Sequence, residues 1–338
     1  MTMMKRKMRL QLNQLINNQL KKFYSDNLSD LSKIPLPLWN IVNLKNYLYH
    51  NIVVTSRGCP YKCNFCYNSS KYSTNNFRNR PIKNVIAEIE QLDTRQVMFI
   101  DDNFVGNPKW TIAFLEAIKS LKLTWHAAVS TNIIHHKNLI NVFAESGCKS
   151  LFIGFESINE ESIKSAQKMQ NRTNEYEELI QLLHSKGIMV NASLVFGFDH
   201  DKPRVFKDTL EWLVKNKVES MTAHILTPYP GTKLYEQFYK DGRIVSFNLS
   251  EYNTSNVVFK PSGMTAQELR AGYLWIYREF YSYKNIMKRI PNHKSRFMPF
   301  LMFNFGYRKF GKITSLLGKL GLMSWIGKLG RKLLYSVD

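Results

Sequence analysis

Between residues 51 and 232, short apolar runs alternate with stretches whose apolar positions recur every three or four residues. That alternation is the mark of strands interleaved with amphipathic helices. Strands are predicted over Asn51–Ser56, Gln96–Ile100, Thr124–Val129, Ser150–Phe155, Ile188–Phe198 and Ser220–Leu226. Helices are predicted over Pro81–Leu92, Pro108–Ser120, Lys137–Ser146, Asn174–Lys186 and Pro203–Asn216. Their ends carry stop and start chemistry: Pro81 suits a first helical position and Asn107 an N-cap, while Gly147 and Gly187 end helices. Ser157 and Glu160 fit a capping box for one further short helix. The run Ser150–Phe155 is apolar without interruption, as expected of a parallel strand covered on both faces. Six β/α units end at the turn Thr227–Gly231, fewer than the eight of a closed barrel. The expected fold is therefore α/β, a partial (β/α)6 barrel, with a flat doubly wound sheet as the alternative.

Composition narrows the class. The chain has 338 residues, of which 44% are hydrophobic and 13% aromatic, which excludes a disordered polymer. Four cysteines, three of them tightly spaced, do not make a secreted disulfide scaffold. Met1–Arg9 is basic, but Gln11, Asn13, Gln14, Asn17 and Asn18 interrupt any signal-peptide core. No uninterrupted apolar run is long enough to span a bilayer, so a reducing cytoplasm is expected. The net charge of +21 is unevenly placed. Residues 1–58 carry +7, residues 284–338 carry +11, and the body between them only +3.

The loop after the first strand reads Ser56-Arg57-Gly58-Cys59-Pro60-Tyr61-Lys62-Cys63-Asn64-Phe65-Cys66-Tyr67. Three thiols this close suit an iron–sulfur cluster. Structural zinc usually takes four ligands in two separated pairs. The fourth cysteine, Cys148, precedes the fourth strand at the opposite end of the fold and is poorly placed to join them. The spacing C-x3-C-x2-C, with Phe65 before the last cysteine, resembles the radical SAM superfamily. The segments Ser56–Tyr61, Ile100–Phe104, Ile153–Ser157 and Pro228–Thr232 further resemble its cobalamin-associated branch. The resemblance spans about residues 50–260. It implies a [4Fe-4S] cluster on Cys59, Cys63 and Cys66, whose free iron chelates S-adenosylmethionine (SAM). It also implies a one-electron donor, such as flavodoxin or ferredoxin, and a 5′-deoxyadenosyl radical that abstracts a substrate hydrogen. The branch normally carries an N-terminal cobalamin-binding domain. Here about fifty residues precede the core and no D-x-H-x-x-G occurs, so cobalamin is not expected within this chain.

The same resemblance nominates Phe65, Asp102, Asn103, Glu156 and Arg172 as cofactor-binding residues. Asp101-Asp102-Asn103 follows the second strand, where the family binds the SAM amino group, and a carboxylate facing an ammonium suits that task. The strand pleat sends Asp101 and Asp102 in different directions, and Asp102 is preferred. Loop or helix-capping chemistry before Pro108 is the alternative. Glu156 ends the fourth strand at the family's ribose position, and a carboxylate accepts from both hydroxyls. Ser157 can equally serve the next helix. Arg172 is a candidate for the SAM carboxylate, and Leu194 and Val195 could flank adenine or be plain core. His126, His135, His136 and Tyr229 lie in or after strands without a motif to assign them.

The domain layout expected from these patterns is a basic extension over 1–50, the barrel over 51–232, a helical cap over 233–290 and a basic amphipathic tail over 291–338. In the tail, Leu316, Leu317, Leu320, Trp325, Leu329 and Leu333 fit one apolar face among lysines, which suits an anionic membrane surface contacted through residues 296–338. A helix docked on the barrel is the alternative. Nucleic acid ranks third, because the cations are interleaved with aliphatic rather than stacking side chains. The expected enzyme thus acts on an unknown, amphiphilic or lipid-linked substrate, peripherally at the membrane. A metal-binding module contacting RNA, or an RNA-modifying radical SAM enzyme, is the alternative.

Overall fold

The computed structural model describes residues 30–41, 43, 51–73, 76–92 and 94–319. The remainder of the expected N-terminal extension, and the tail beyond residue 319, lie outside the described residues. The chain divides into two units, residues 1–35 and 36–338. Among the described residues of the first, a 3-10 turn, Leu31–Lys33, is capped by the Asp30 carboxylate, which accepts from the Ser32 amide at 2.9 Å.

The second unit is built on six parallel strands: β1 (Ile52–Val53), β2 (Gln96–Phe99), β3 (Thr124–Ser130), β4 (Cys148–Glu156), β5 (Met189–Phe196) and β6 (Ser220–Ile225). They lie side by side in sequence order. The connecting helices are α1 (Ile82–Ile89), α2 (Pro108–Ile118), α3 (Lys137–Glu145), α4 (Glu160–Ser165), α5 (Tyr176–Ser185) and α6 (Val205–Lys215). Because every crossover steps to the next strand in the same sense, the helices share one face and the sheet curls around the other. A doubly wound sheet would need a reversal of strand order, and there is none. The fold is a partial barrel.

The core sits between the convex face of the sheet and the helices. Trp125 of β3 is fully buried there, with its ring centroid 5.7 Å from Phe99 of β2 and 5.4 Å from Phe143 of α3. Its indole N–H donates to the Ser146 carbonyl at 3.0 Å. The opposite pleat, carrying His126, Ala128 and Ser130, faces the concave side. Six strands do not close that side. Met98 and Phe152 are each 36% exposed and Ile100, just past β2, is 44% exposed. The expectation that the fourth strand is covered on both faces is thus wrong, because the unfilled interior leaves its inward residues open.

Two other expectations are corrected. The first strand stops at Val53, because the Thr55 and Ser56 amides donate to the Asp101 carboxylate instead of a neighbouring strand. Ser56–Arg57 then pairs antiparallel with Arg78–Asn79 as a separate ribbon. The cap of α4 is Asn159, accepting from the Glu161 amide at 2.9 Å, and not Ser157, whose hydroxyl accepts from Asn159 itself.

Beyond the turn at Pro228 come α7 (Lys233–Lys240), α8 (Ala266–Phe280), α9 (Tyr283–Lys288) and α10 (Lys294–Lys319). Helix α8 starts with a true capping box, Thr265 with Glu268. Its Tyr277 hydroxyl takes the Ala223 amide at 2.9 Å and donates to the Ala223 carbonyl at 3.0 Å. Tyr281 does the same at Met221. The free edge of β6 is therefore satisfied by tyrosines. At the foot of the barrel, Glu219 accepts from the Val190 amide at 2.9 Å and pairs with Arg296. Arg289 lies 3.5 Å from the centre of the Phe280 ring and donates to the Asn304 side chain at 2.9 Å. Burial pulls its pKa down to about 10. The start of α10 is docked on the barrel.

Arg296→Ala should cost about 3 kcal/mol in urea unfolding, since it removes the arginine partner of a carboxylate that is 1% exposed and leaves it the Val190 amide and His184 alone. A second expectation concerns acid. Burial, with the nearby Lys149 charge, pulls the His126 pKa down to about 4. The unfolded chain takes up that proton near pH 6.5, so folding stability falls as pH drops from about 6.5 towards 4. His126→Asn should flatten that part of the stability–pH curve, as read from denaturation midpoints.

Candidate functional site

The cysteine loop leaves the antiparallel ribbon at Gly58, whose φ of +80° and 2.9 Å approach to the Asn76 carbonyl leave no room for a Cβ. Its middle is pinned from two sides. Asn64 donates from its amide to Ala166 at 3.1 Å and from its side chain to Ser165 at 2.8 Å, both at the end of α4. The Leu234 amide, at the start of α7, donates to the Asn64 carbonyl at 3.1 Å. Phe65 packs edge-on against Phe198, centroids 6.1 Å apart. Tyr61 accepts from the Asn132 side chain at 2.7 Å, tying the loop to the chain after β3.

All three thiols are reduced and carry no disulfide. Burial raises the pKa of each, that of Cys66 to about 11. Cys66 also feels the charges of Cys63 and Cys59, so the three sulfurs share one neighbourhood. Donors oppose those penalties. The Tyr61 and Asn68 amides serve Cys59 and Cys66, and the Gln170 side chain reaches the Cys63 sulfur at 3.6 Å. The Lys168 ammonium acts on all three. Amide donors and a cation are what thiolate ligands of a cluster need. Among the described residues, no three His, Cys, Asp or Glu side chains are gathered as for a single metal ion.

Lys168 is held by Glu156, and both are nearly buried, their side chains 7% and 11% exposed. Burial opposes the ammonium, but Glu156 and the Cys63 and Cys66 sulfurs outweigh it and hold the Lys168 pKa above the ordinary value. A β-bulge creates this arrangement. The register between β4 and β5 slips at Gly154–Glu156, and Glu156 takes a left-handed φ of +63°. Such a residue costs about 1–3 kcal/mol unless its surroundings hold it. The Asn171 side chain does so, donating to the Gly154 and Phe155 carbonyls at 2.8 and 3.0 Å. A Cβ on Gly154 would sit 2.6 Å from the Glu156 carboxylate and 2.7 Å from the Lys168 ammonium. Only glycine leaves that space.

The remaining nominated residues divide. Asp102 is exposed, accepts from the Tyr67 hydroxyl and raises the Cys59 pKa, so it borders the loop. Asp101 is turned away, accepting from Thr55 and Ser56. Asn103 is buried, with its side chain 3.5 Å from the Ser130 hydroxyl and accepting from the Val105 amide at 3.2 Å. Arg172 lies on the surface, 3.3 Å from Glu175. Leu194 is fully buried in the core, and Val195 is 7% exposed. His135 pairs with Glu175 at 3.3 Å. Cys148 is buried at the start of β4, with burial holding its thiol protonated. Lys168, Gln170, Asn171 and Tyr67 were not foreseen, since no spacing or periodicity marks them.

Comparisons with known proteins agree with this geometry. Residues 53–213 match the Radical SAM superfamily, and residues 232–314 match a Domain of unknown function (DUF4070). The chain is 32% identical over 275 residues to the bacteriochlorophyllide d C-12(1)-methyltransferase of Chlorobaculum tepidum, covering 79% of this chain and 60% of that protein. It is 27% identical over 263 residues to the anaerobic magnesium-protoporphyrin IX monomethyl ester cyclase of Cereibacter sphaeroides, covering 73% and 42%. The chain thus spans 60% or less of the length of these relatives. Among solved structures, the cobalamin-dependent SAM radical enzyme OxsB superposes with a TM-score of 0.59 at 13% identity, over 88% of this chain and 54% of that one. That likeness concerns the fold alone. A barrel of this build, a superfamily match across its strands and a relative 32% identical over 275 residues lead to one conclusion: the chain belongs to the radical SAM superfamily.

Proposed function

We propose that Cys59, Cys63 and Cys66 hold a [4Fe-4S] cluster, with SAM bound beside it at the C-terminal rim of the barrel. The observation that carries this reading is the three-thiol loop facing the buried Lys168 ammonium. With the cluster and SAM bound, the chemistry on offer would be one-electron cleavage of SAM to methionine and a 5′-deoxyadenosyl radical able to take a hydrogen atom from the substrate, the electron coming from a one-electron donor such as flavodoxin or ferredoxin.

The chain's own groups bind and orient. Asp102 and Asn103 stand at the rim for the SAM amino group, and Glu156 for the ribose hydroxyls. Lys168 holds Glu156 in place and offsets the negative charge of three thiolates in a poorly hydrated site. Arg172 is a candidate for the SAM carboxylate only if it leaves Glu175. The sequence contains no D-x-H-x-x-G histidine for cobalt, and the proposal routes no step through cobalamin.

The substrate we infer is a large amphiphile. On the concave face Met98, Ile100 and Phe152 present apolar surface, while Asn191, Thr222 and His224 supply polar contacts on the far strands. Relatives named for bacteriochlorophyllide d and for magnesium-protoporphyrin IX monomethyl ester support a large, mostly apolar ring as the kind of molecule such a face receives. Their two reaction names differ, so hydrogen abstraction is the shared step proposed.

Anaerobic reconstitution should load about four irons per chain, and dithionite should then release 5′-deoxyadenosine from SAM. Cys63→Ala should abolish both. Intact iron and cleavage in that variant would sink the proposal, as would one tightly bound zinc with no cleavage. Lys168→Met should keep the cysteines but cost about 3 kcal/mol, because Glu156 loses its buried partner. It should also move the cluster potential to a more negative value, read by an EPR-monitored titration.

A further inference from the structure

Helices α9 and α10 sit at the foot of the barrel, beside the residue that opens β6 and at the opposite end from the cysteine loop. They turn one set of side chains inward and another outward. Ile286, Arg289, Arg296, Phe300 and Asn304 are buried. Tyr283, Met287, Met298 and Phe303 are between 49% and 59% exposed. The Tyr283 ring lies 6.0 Å from that of Phe305, which joins the outward faces of the two helices into one surface. Tyr283 and Met287 form one stripe at i, i+4, and the exposed Lys284 and Lys288 form a second stripe directly beside it. Lys294 adds a third exposed cation at the start of α10.

A purely structural helix pair would leave polar residues outward. This surface has flexible methionines and Tyr283, its ring packed on Phe305, next to long-stemmed lysines. The acids that could neutralise it locally are almost absent: residues 284–338 hold twelve Lys/Arg and a single acid, Asp338. No described helix is long and apolar enough to cross a bilayer, so such a face would lie on one and not through it.

We propose that the outward face of α9 and the first turns of α10 docks on an anionic lipid bilayer. Tyr283, Met287 and Met298, which lie on the side where Tyr283 meets Phe305, sink past the headgroups, while Lys284, Lys288 and Lys294 extend their stems to the lipid phosphates. The inward residues hold the pair rigid, so binding needs no refolding of these turns. This inference stands apart from the chemistry proposed for the cysteine loop.

The test uses the full-length protein and sedimentation with vesicles of phosphatidylcholine, alone or mixed with phosphatidylglycerol. Binding is expected only with the anionic vesicles, and it should weaken at high salt. Neutralising Lys284→Gln, Lys288→Gln and Lys294→Gln together should weaken it about a hundredfold, about fivefold per cation. Met298→Ser leaves the charge untouched and should weaken it about tenfold. These positions are exposed, and an unchanged melting temperature checks that each variant is folded. Equal binding to both vesicle types, binding to neither, or unchanged binding by the variants would overturn the proposal. So would single-stranded RNA that strips the protein from the vesicles, which would mark the surface as a polynucleotide site.

Discussion

The architecture turns on how β6 ends the sheet. A parallel strand at an edge leaves a row of amides and carbonyls that another strand would normally take. Here Tyr277 and Tyr281 take them, each bridging the amide and carbonyl of one residue. The match is metric. Four residues of helix rise about 6.0 Å and two residues of strand about 6.6 Å, so hydroxyls at i and i+4 meet Ala223 and Met221 without distortion. Left unsatisfied, each buried group would cost about 1–3 kcal/mol. With the edge occupied the sheet stays at six strands among the described residues, and its concave face stays open.

The opposite requirement applies at the top of β4, where regularity is given up. A strand that kept its register would carry Glu156 on along the sheet. The slip at Gly154 turns its carboxylate back over the strand and under the ammonium of Lys168, with Asn171 holding the carbonyls on either side. Local strain is thereby offset by a buried ion pair and two hydrogen bonds, and the result is a fixed positive charge beside three thiols. Neither a helix nor an unbulged strand could deliver both members of that pair to one point.

Much of this was legible in the sequence, for reasons that differ by element. The alternation of β-branched runs with amphipathic stretches carried the six units, because each strand packs one face on helices that obey their own period. The cysteine spacing was equally direct, being local. Asp101 and Asp102 do part as expected, but through their partners and not a pleat: the strand ends at Phe99, Asp101 is held by Thr55 and Ser56, and Asp102 accepts from Tyr67. Lys168 was invisible because its role depends on a left-handed turn at Gln167 and on Glu156, twelve residues away and across a bulge. The tyrosines of α8 read as ordinary helix residues, since nothing in a single segment says that it will lie against an unsatisfied edge. The open face of β4 was misread for a related reason. Apolar runs signal burial, and only strand count reveals that the burial is incomplete.

The tethering of Asn64 bears on how the cysteine loop is held. Its three hydrogen bonds run to the end of α4 and the start of α7. In small zinc domains the metal supplies much of the folding free energy. Here the middle of the loop is fastened to two helices of the larger fold, so the entropy lost in ordering it is partly offset by contacts that the polypeptide itself provides.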